Sequence, residues 1–142
     1  MTLRRSEAMR IIDGALAHAL SAGAAPMAVV VVDAGGHPVA YAREDGASFF
    51  RHDIALAKAT GAIGMGTDTR SLADKAKANP AFFGSLSQVV GGRIAYSPGG
   101  VVIRRDGSLI GAVGVSGDTG EMDEAAAHAG LAAAGLAAGD QA

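Results

Sequence analysis

The sequence predicts an α+β fold, a five-stranded antiparallel sheet with helices packed against it. Two hairpin signals, Gly35-Gly36 and Asp106-Gly107, each join apolar β-rich runs, so the strands return on themselves. Three long stretches, beginning near residues 3, 49 and 121, carry helical spacing and supply the cover. The expected order is α-β-β-α-(short α)-β-β-β-α in a single domain over 1–142, with no internal repeat and no linker.

Residues 3–22 place Ala8, Ile12, Ala15, Leu16, Ala19 and Leu20 on one stripe, with Arg4, Arg5, Arg10 and Asp13 off it, the pattern of an amphipathic helix. Gly23 closes it and Pro26 prevents its extension. Residues 27–32 form an unbroken apolar run, read as a central strand buried on both faces. After a turn at 33–37, residues 38–43 are the returning strand. Ser48 stands where it can cap a second helix over 49–65. That helix is apolar almost all round: Phe50, Ile54, Ala57 and Gly61 share one face, and Phe49, Leu56 and Ile63 another. It is expected to be buried on both sides, one of them a subunit interface. Two short helices over 67–78 and 80–89 meet at Asn79-Pro80. Residues 93–97, 101–105 and 109–115 are read as the remaining strands, and a helix over 121–138 ends the chain.

The 142 residues are 49% hydrophobic and 18% charged, the composition of a folded chain. So few charges leave apolar faces that are expected to meet other subunits, which predicts a homo-oligomer. A net charge of −2, scattered Lys and Arg, and 4% aromatic content argue against nucleic acid as a partner. Cysteine is absent, which removes disulfides, thiolate catalysis and Cys-ligated metal or haem. No run approaches the ~18–20 apolar residues of a membrane span, so no membrane partner is expected. The start, Met1-Thr2-Leu3-Arg4-Arg5, leads directly into the helical pattern, and a cytoplasmic location is the expectation.

The densest chemistry lies at 111–123, where an apolar run ends in a glycine-rich bend and an alanine-rich helix follows. Asp118 or Thr119 is expected to cap that helix, with Glu121 completing a capping box with Asp118. The helix's first N–H groups then point at the bend, a geometry that favours an anion. The segment is neither a nucleophile elbow, since Asp118 replaces its last glycine, nor a dinucleotide fingerprint, since Gly111 and Gly114 are three apart.

Several of these segments together resemble the GlcG/HbpS-like family: Val31-Val32-Asp33-Ala34-Gly35-Gly36-His37, Ala42-Arg43-Glu44-Asp45-Gly46-Ala47 and Lys58-Ala59. The second half agrees through Pro98-Gly99-Gly100-Val101-Val102-Ile103, Asp106-Gly107, Ile110 to Gly117, and Asp123. The resemblance runs in order over about 5–135, with Glu44 departing from the methionine usual after the arginine. It implies a profilin-like α/β sandwich that assembles as a homo-oligomer. Its members include haem-binding proteins and others from catabolic gene neighbourhoods. The implied partner is therefore a small molecule, haem or another flat carboxylated compound. The alternative is an enzyme acting on a small carboxylated or oxo compound.

Without cysteine, a haem iron needs His, Met or Tyr. His18, at the edge of the first helix's stripe, and His52, on the second helix, are candidates for binding the cofactor; each also reads as a satisfied boundary or core histidine. Histidine placement varies in the family, so the resemblance assigns no iron ligand. Glu124 and His128, four apart, read as a surface ion pair. Lys58 lies in helical line with Arg51, a seat for carboxylate or phosphate groups, or else pairs with Asp45 or Asp123 to hold the fold. In the enzyme reading Lys58 with Asp45 or Asp123 would be the catalytic acid/base groups. Because both segments are family motifs, the resemblance places Lys58 and Arg51 across a pocket from the bend of Gly114, Ser116 and Gly117.

Overall fold

The computed structural model describes residues 2–138. The first helix, α1 (Arg5–Ser21), leads into β1 (Ala28–Asp33) and β2 (Pro38–Arg43). Three helices follow, α2 (Phe50–Met65), α3 (Thr69–Ala78) and α4 (Pro80–Val89). The chain then forms β3 (Gly100–Arg105), β4 (Ser108–Ser116), α5 (Gly120–Ala133) and the short β5 (Ala137–Ala138). The sheet order is β2-β1-β4-β3-β5, and every neighbouring pair is antiparallel. This is the expected α+β class with its five strands. The strand from Met27 is interior, flanked by β2 and β4, while the middle position belongs to β4.

Alternation along β1 builds three layers. Val29 and Val31 point to one face, where Ile11, Ala15, Ala126 and Leu131 of α1 and α5 cover them. Ala28, Val30 and Val32 point to the other, under Ala55, Ala59 and Ala62 of α2. A strand covered on both faces has no polar side to show, which is why residues 27–32 read as one apolar run.

Two expected elements are corrected. Residues 93–97 form no strand. Their Ile94 joins Leu72 and Phe83 in a separate small cluster, and the Tyr96 hydroxyl donates to the Phe83 carbonyl at 2.7 Å. The segment is a strap over α2 and α4; its alternation serves helices rather than a sheet. The helix expected to reach 138 ends at Ala133, where the Leu136 N–H donates to the Leu131 carbonyl at 2.9 Å and Gly135 adopts φ +71°. That left-handed cap turns the chain back so that Ala137 and Ala138 pair with β3, supplying the fifth strand.

β5 covers only Ile103 and Arg104, so the rest of that edge needs other partners. Asp68 and Thr69, at the start of α3, provide them: the Val102 N–H donates to Asp68 Oδ1 at 3.0 Å and the Gly100 N–H to Thr69 Oγ1 at 2.8 Å. Asn79 caps α4 by accepting the Phe82 N–H at 3.4 Å; the N-cap of α2 is Phe49 rather than the expected Ser48, whose hydroxyl accepts the Phe50 N–H at 3.3 Å one residue ahead of the cap.

Candidate functional site

Helix α2 lies directly on the sheet because Gly114 has no side chain; a methyl there would overlap the Ala55 carbonyl oxygen. This approach carries Lys58 into the interior. Its Nζ donates to the Val115 carbonyl at 2.8 Å and to Asp123 Oδ2 at 3.0 Å, with both side chains 2% exposed. Burial pushes the Lys58 ammonium below its ordinary range and the Asp123 carboxyl above its own, while their mutual attraction opposes both shifts. Gly99 closes over the pair, leaving no room for a side chain beside Lys58 Nζ and Asp123 Cβ. Lys58 and the glycine bend are thus in contact, where the sequence reading set a pocket between them.

The bend answers its own electrostatics. Asp123, in the first turn of α5, accepts the Asp118 N–H on Oδ1 at 2.9 Å, so a carboxylate of the chain occupies the anion-favouring place. Thr119 is the cap, accepting from the Met122 N–H at 3.2 Å. The expected capping box with Asp118 and Glu121 does not form, because the Asp118 carboxylate is taken by the Ala25 N–H at 2.8 Å and the Thr119 N–H at 2.7 Å. Arg51, half-buried, donates from Nη1 to Ser116 Oγ at 3.2 Å. Gly117 packs against Met27 and Pro26, and Gly114 and Ser116 are buried with it. Asp45 is exposed, and Asp123 alone of the two expected carboxylates meets Lys58. A substrate reaches Lys58 only if this packing opens.

The histidines lie elsewhere. His18 is half-buried on the last turn of α1, on the opposite side of the sheet from α2. The His52 ring stands edge-on to Tyr41 at 4.4 Å between centroids, with Nδ1 3.8 Å from Asp53 Oδ1. Beside it, Phe49 and Phe50 are 66% and 62% exposed. Glu124 pairs with Arg70, whose Nε lies 2.9 and 3.0 Å from its two oxygens, rather than with His128. Among the described residues, no three His, Asp or Glu side chains gather as a metal site.

The surface carries clefts of a size to take a small molecule. A cleft of about 540 Å³ lies along the outer face of α2, between the 33–37 turn and the strap. Leu56, Ile63, Leu86 and Ile94 give it apolar walls, and His37, Asp53, Met65 and Arg93 contribute the groups able to meet a ligand. Sequence reasoning missed this cleft. Its signal was the apolar outer face of α2, which was assigned wholly to a subunit interface. No helix among the described residues is long and apolar enough to cross a membrane.

A two-faced antiparallel sheet with helices on both sides defines a small α+β domain with an apolar cleft on its outer helix. The chain belongs to the HbpS-like family, described as haem-degrading protein HbpS-like, whose model matches residues 3–132. The corrinoid adenosyltransferase PduO of Salmonella typhimurium is 34% identical over 108 residues, 76% of this chain and 32% of that one, so the chain spans about a third of that relative. A 15.0 kDa protein of Citrobacter freundii, from the dhaT-dhaS intergenic region, is 35% identical over 106 residues, 75% of this chain and 74% of that one. In three dimensions the chain is similar to PduOC in its haem complex, with 29% identity, coverage of 96% and 98%, and a TM-score of 0.88. A double mutant of HbpS from Streptomyces reticuli is similar at 28% identity, coverage of 93% and 86%, and a TM-score of 0.82.

Proposed function

We propose that this protein binds haem, or a flat carboxylated molecule of that kind, in the cleft on the outer face of α2. The observation that carries the reading is the cleft's chemistry: about 540 Å³ of mostly apolar wall with a histidine, a thioether, a carboxylate and a guanidinium among its lining. That volume falls in the range of small-molecule sites, roughly 300–1,000 Å³. The residues fit a haem. With no cysteine in the chain and no tyrosine in the cleft lining, His37 or Met65 would face the iron, and Arg93 suits a propionate. The likeness to PduOC in its haem complex supports the same ligand class. When bound, haem would supply a redox-active iron; the chain supplies the seat and shields it from water.

In this reading Lys58 and Asp123 hold helix to sheet, and Arg51, Ser116, Gly114 and Gly117 shape the bend without touching the ligand. Exposed Phe49, Phe50 and Ile54 at the start of α2 support a homo-oligomer in which a second copy packs against this part of the helix. The test is a hemin titration followed at the Soret band, with Ala57→Arg as the blocked control, because Ala57 lines the cleft. Saturable binding by the wild type and its loss in the folded variant are expected. No spectral change in the wild type would refute the reading.

A further inference from the structure

We propose that His37 is the side chain that meets the haem iron and that Asp33 is its positioning residue. This rests on the haem reading above and names a residue within that cleft.

His37 ends the 33–37 turn, which forms one wall of the cleft. Its ring lies close beside Gly35: a Cβ there would stand 3.0 Å from Nδ1 and 3.1 Å from Cε1, so glycine leaves the imidazole room in this position. The same turn anchors Asp33. Oδ1 accepts the Gly35 and His37 N–H groups, each at 3.0 Å, which fixes the carboxylate within the turn. His37 Nδ1 is 3.5 Å from that same Oδ1. Nδ1 is thereby turned toward a carboxylate, and Nε2 has no hydrogen-bond partner among the described residues. A carboxylate behind one ring nitrogen is the arrangement that selects the tautomer and raises the basicity of the other nitrogen for a metal.

The other histidines lack one feature or the other. His18 on α1 and His128 on α5 belong to the layer across the sheet from α2. His52 has Asp53 near Nδ1, but its ring is turned to Tyr41 and is not part of the cleft wall. Only His37 among the four histidines lines the cavity. The side chain is 81% exposed, so its removal costs the fold little.

The experiment is hemin titration of the full chain, read by absorption and electron paramagnetic resonance, for wild type, His37→Ala, Asp33→Asn and His52→Ala. His37→Ala is expected to shift the Soret maximum and weaken binding, with added imidazole restoring the wild-type spectrum. Asp33→Asn keeps an oxygen for the two backbone N–H groups and loses the charge, and is expected to weaken hemin binding by about 10-fold. His52→Ala is expected to match the wild type. A wild type that takes up no hemin refutes the haem reading and this inference with it. Hemin binding with an unchanged spectrum and affinity in His37→Ala overturns the assignment of His37 alone.

Discussion

The Lys58 ammonium stands 3.0 Å from the Asp123 carboxylate with both groups 2% exposed, and this pair ties α2 to the start of α5 across the bend after β4. Two charges hidden this well stabilise only as a pair. Lys58→Ala leaves the carboxylate buried without its partner and is expected to cost about 3–5 kcal/mol in urea unfolding. Lys58→Met with Asp123→Leu removes both charges and is expected to recover most of that loss. Hemin affinity of any folded single variant is expected to stay at the wild-type level. An intact stability with lost affinity would instead return Lys58 to the binding site.

Gly114 sets how close α2 comes. Its missing side chain is replaced by the Ala55 carbonyl, which belongs to a helix backbone and has nowhere to retreat. Gly114→Ala is expected to destabilise the protein by about 1–3 kcal/mol, the cost of overpacking, as measured by denaturant titration. An unchanged unfolding midpoint would show that α2 slides freely on the sheet.

What was legible in the sequence is what local pattern encodes. The run at 27–32 declared a strand buried on both faces because every one of its residues meets apolar cover. Lys58 had two acidic candidates, and only the fold could bring it to Asp123, 65 residues away. Ile94 and Tyr96 alternate as a strand does, but their partners are Phe83 and the face of α2 at Gly61, which no neighbouring residue announces. The cleft was hidden for the same reason: its walls come from the 33–37 turn, α2, α4 and the strap. Its histidine ends a short turn with its side chain 81% exposed, so nothing local marks it as part of a cleft wall.

Acid stability is expected to depend on Glu7. Its carboxyl hydrogen-bonds the Arg105 guanidinium and also accepts the Arg4 N–H at 2.9 Å, and these hold it below the ordinary 4.5. The unfolded chain therefore takes up this proton at a higher pH than the folded one. The contribution is fully present above about pH 4.5 and is lost as pH falls through the lower folded value. Glu7→Gln is expected to flatten the acid limb of a plot of unfolding free energy against pH. Parallel limbs for the two proteins would place the acid sensitivity elsewhere.

Phe49 and Phe50 lie against each other at 4.7 Å between ring centroids, tilted by 42°, at the start of α2, and Ile54 follows one turn later, 37% exposed. Burying a phenylalanine contributes about 1.5–3 kcal/mol, so a face with two of them favours association strongly. A charge at its centre must be stripped of water in the interface with no partner to receive it. Phe50→Glu is therefore expected to raise the subunit dissociation constant by about 100-fold or more, since each 1.4 kcal/mol is a factor of ten. Sedimentation velocity at micromolar concentration checks it: an oligomer is expected for the wild type and a smaller species for the variant. A wild type that sediments as a monomer would remove this face as the seam between copies.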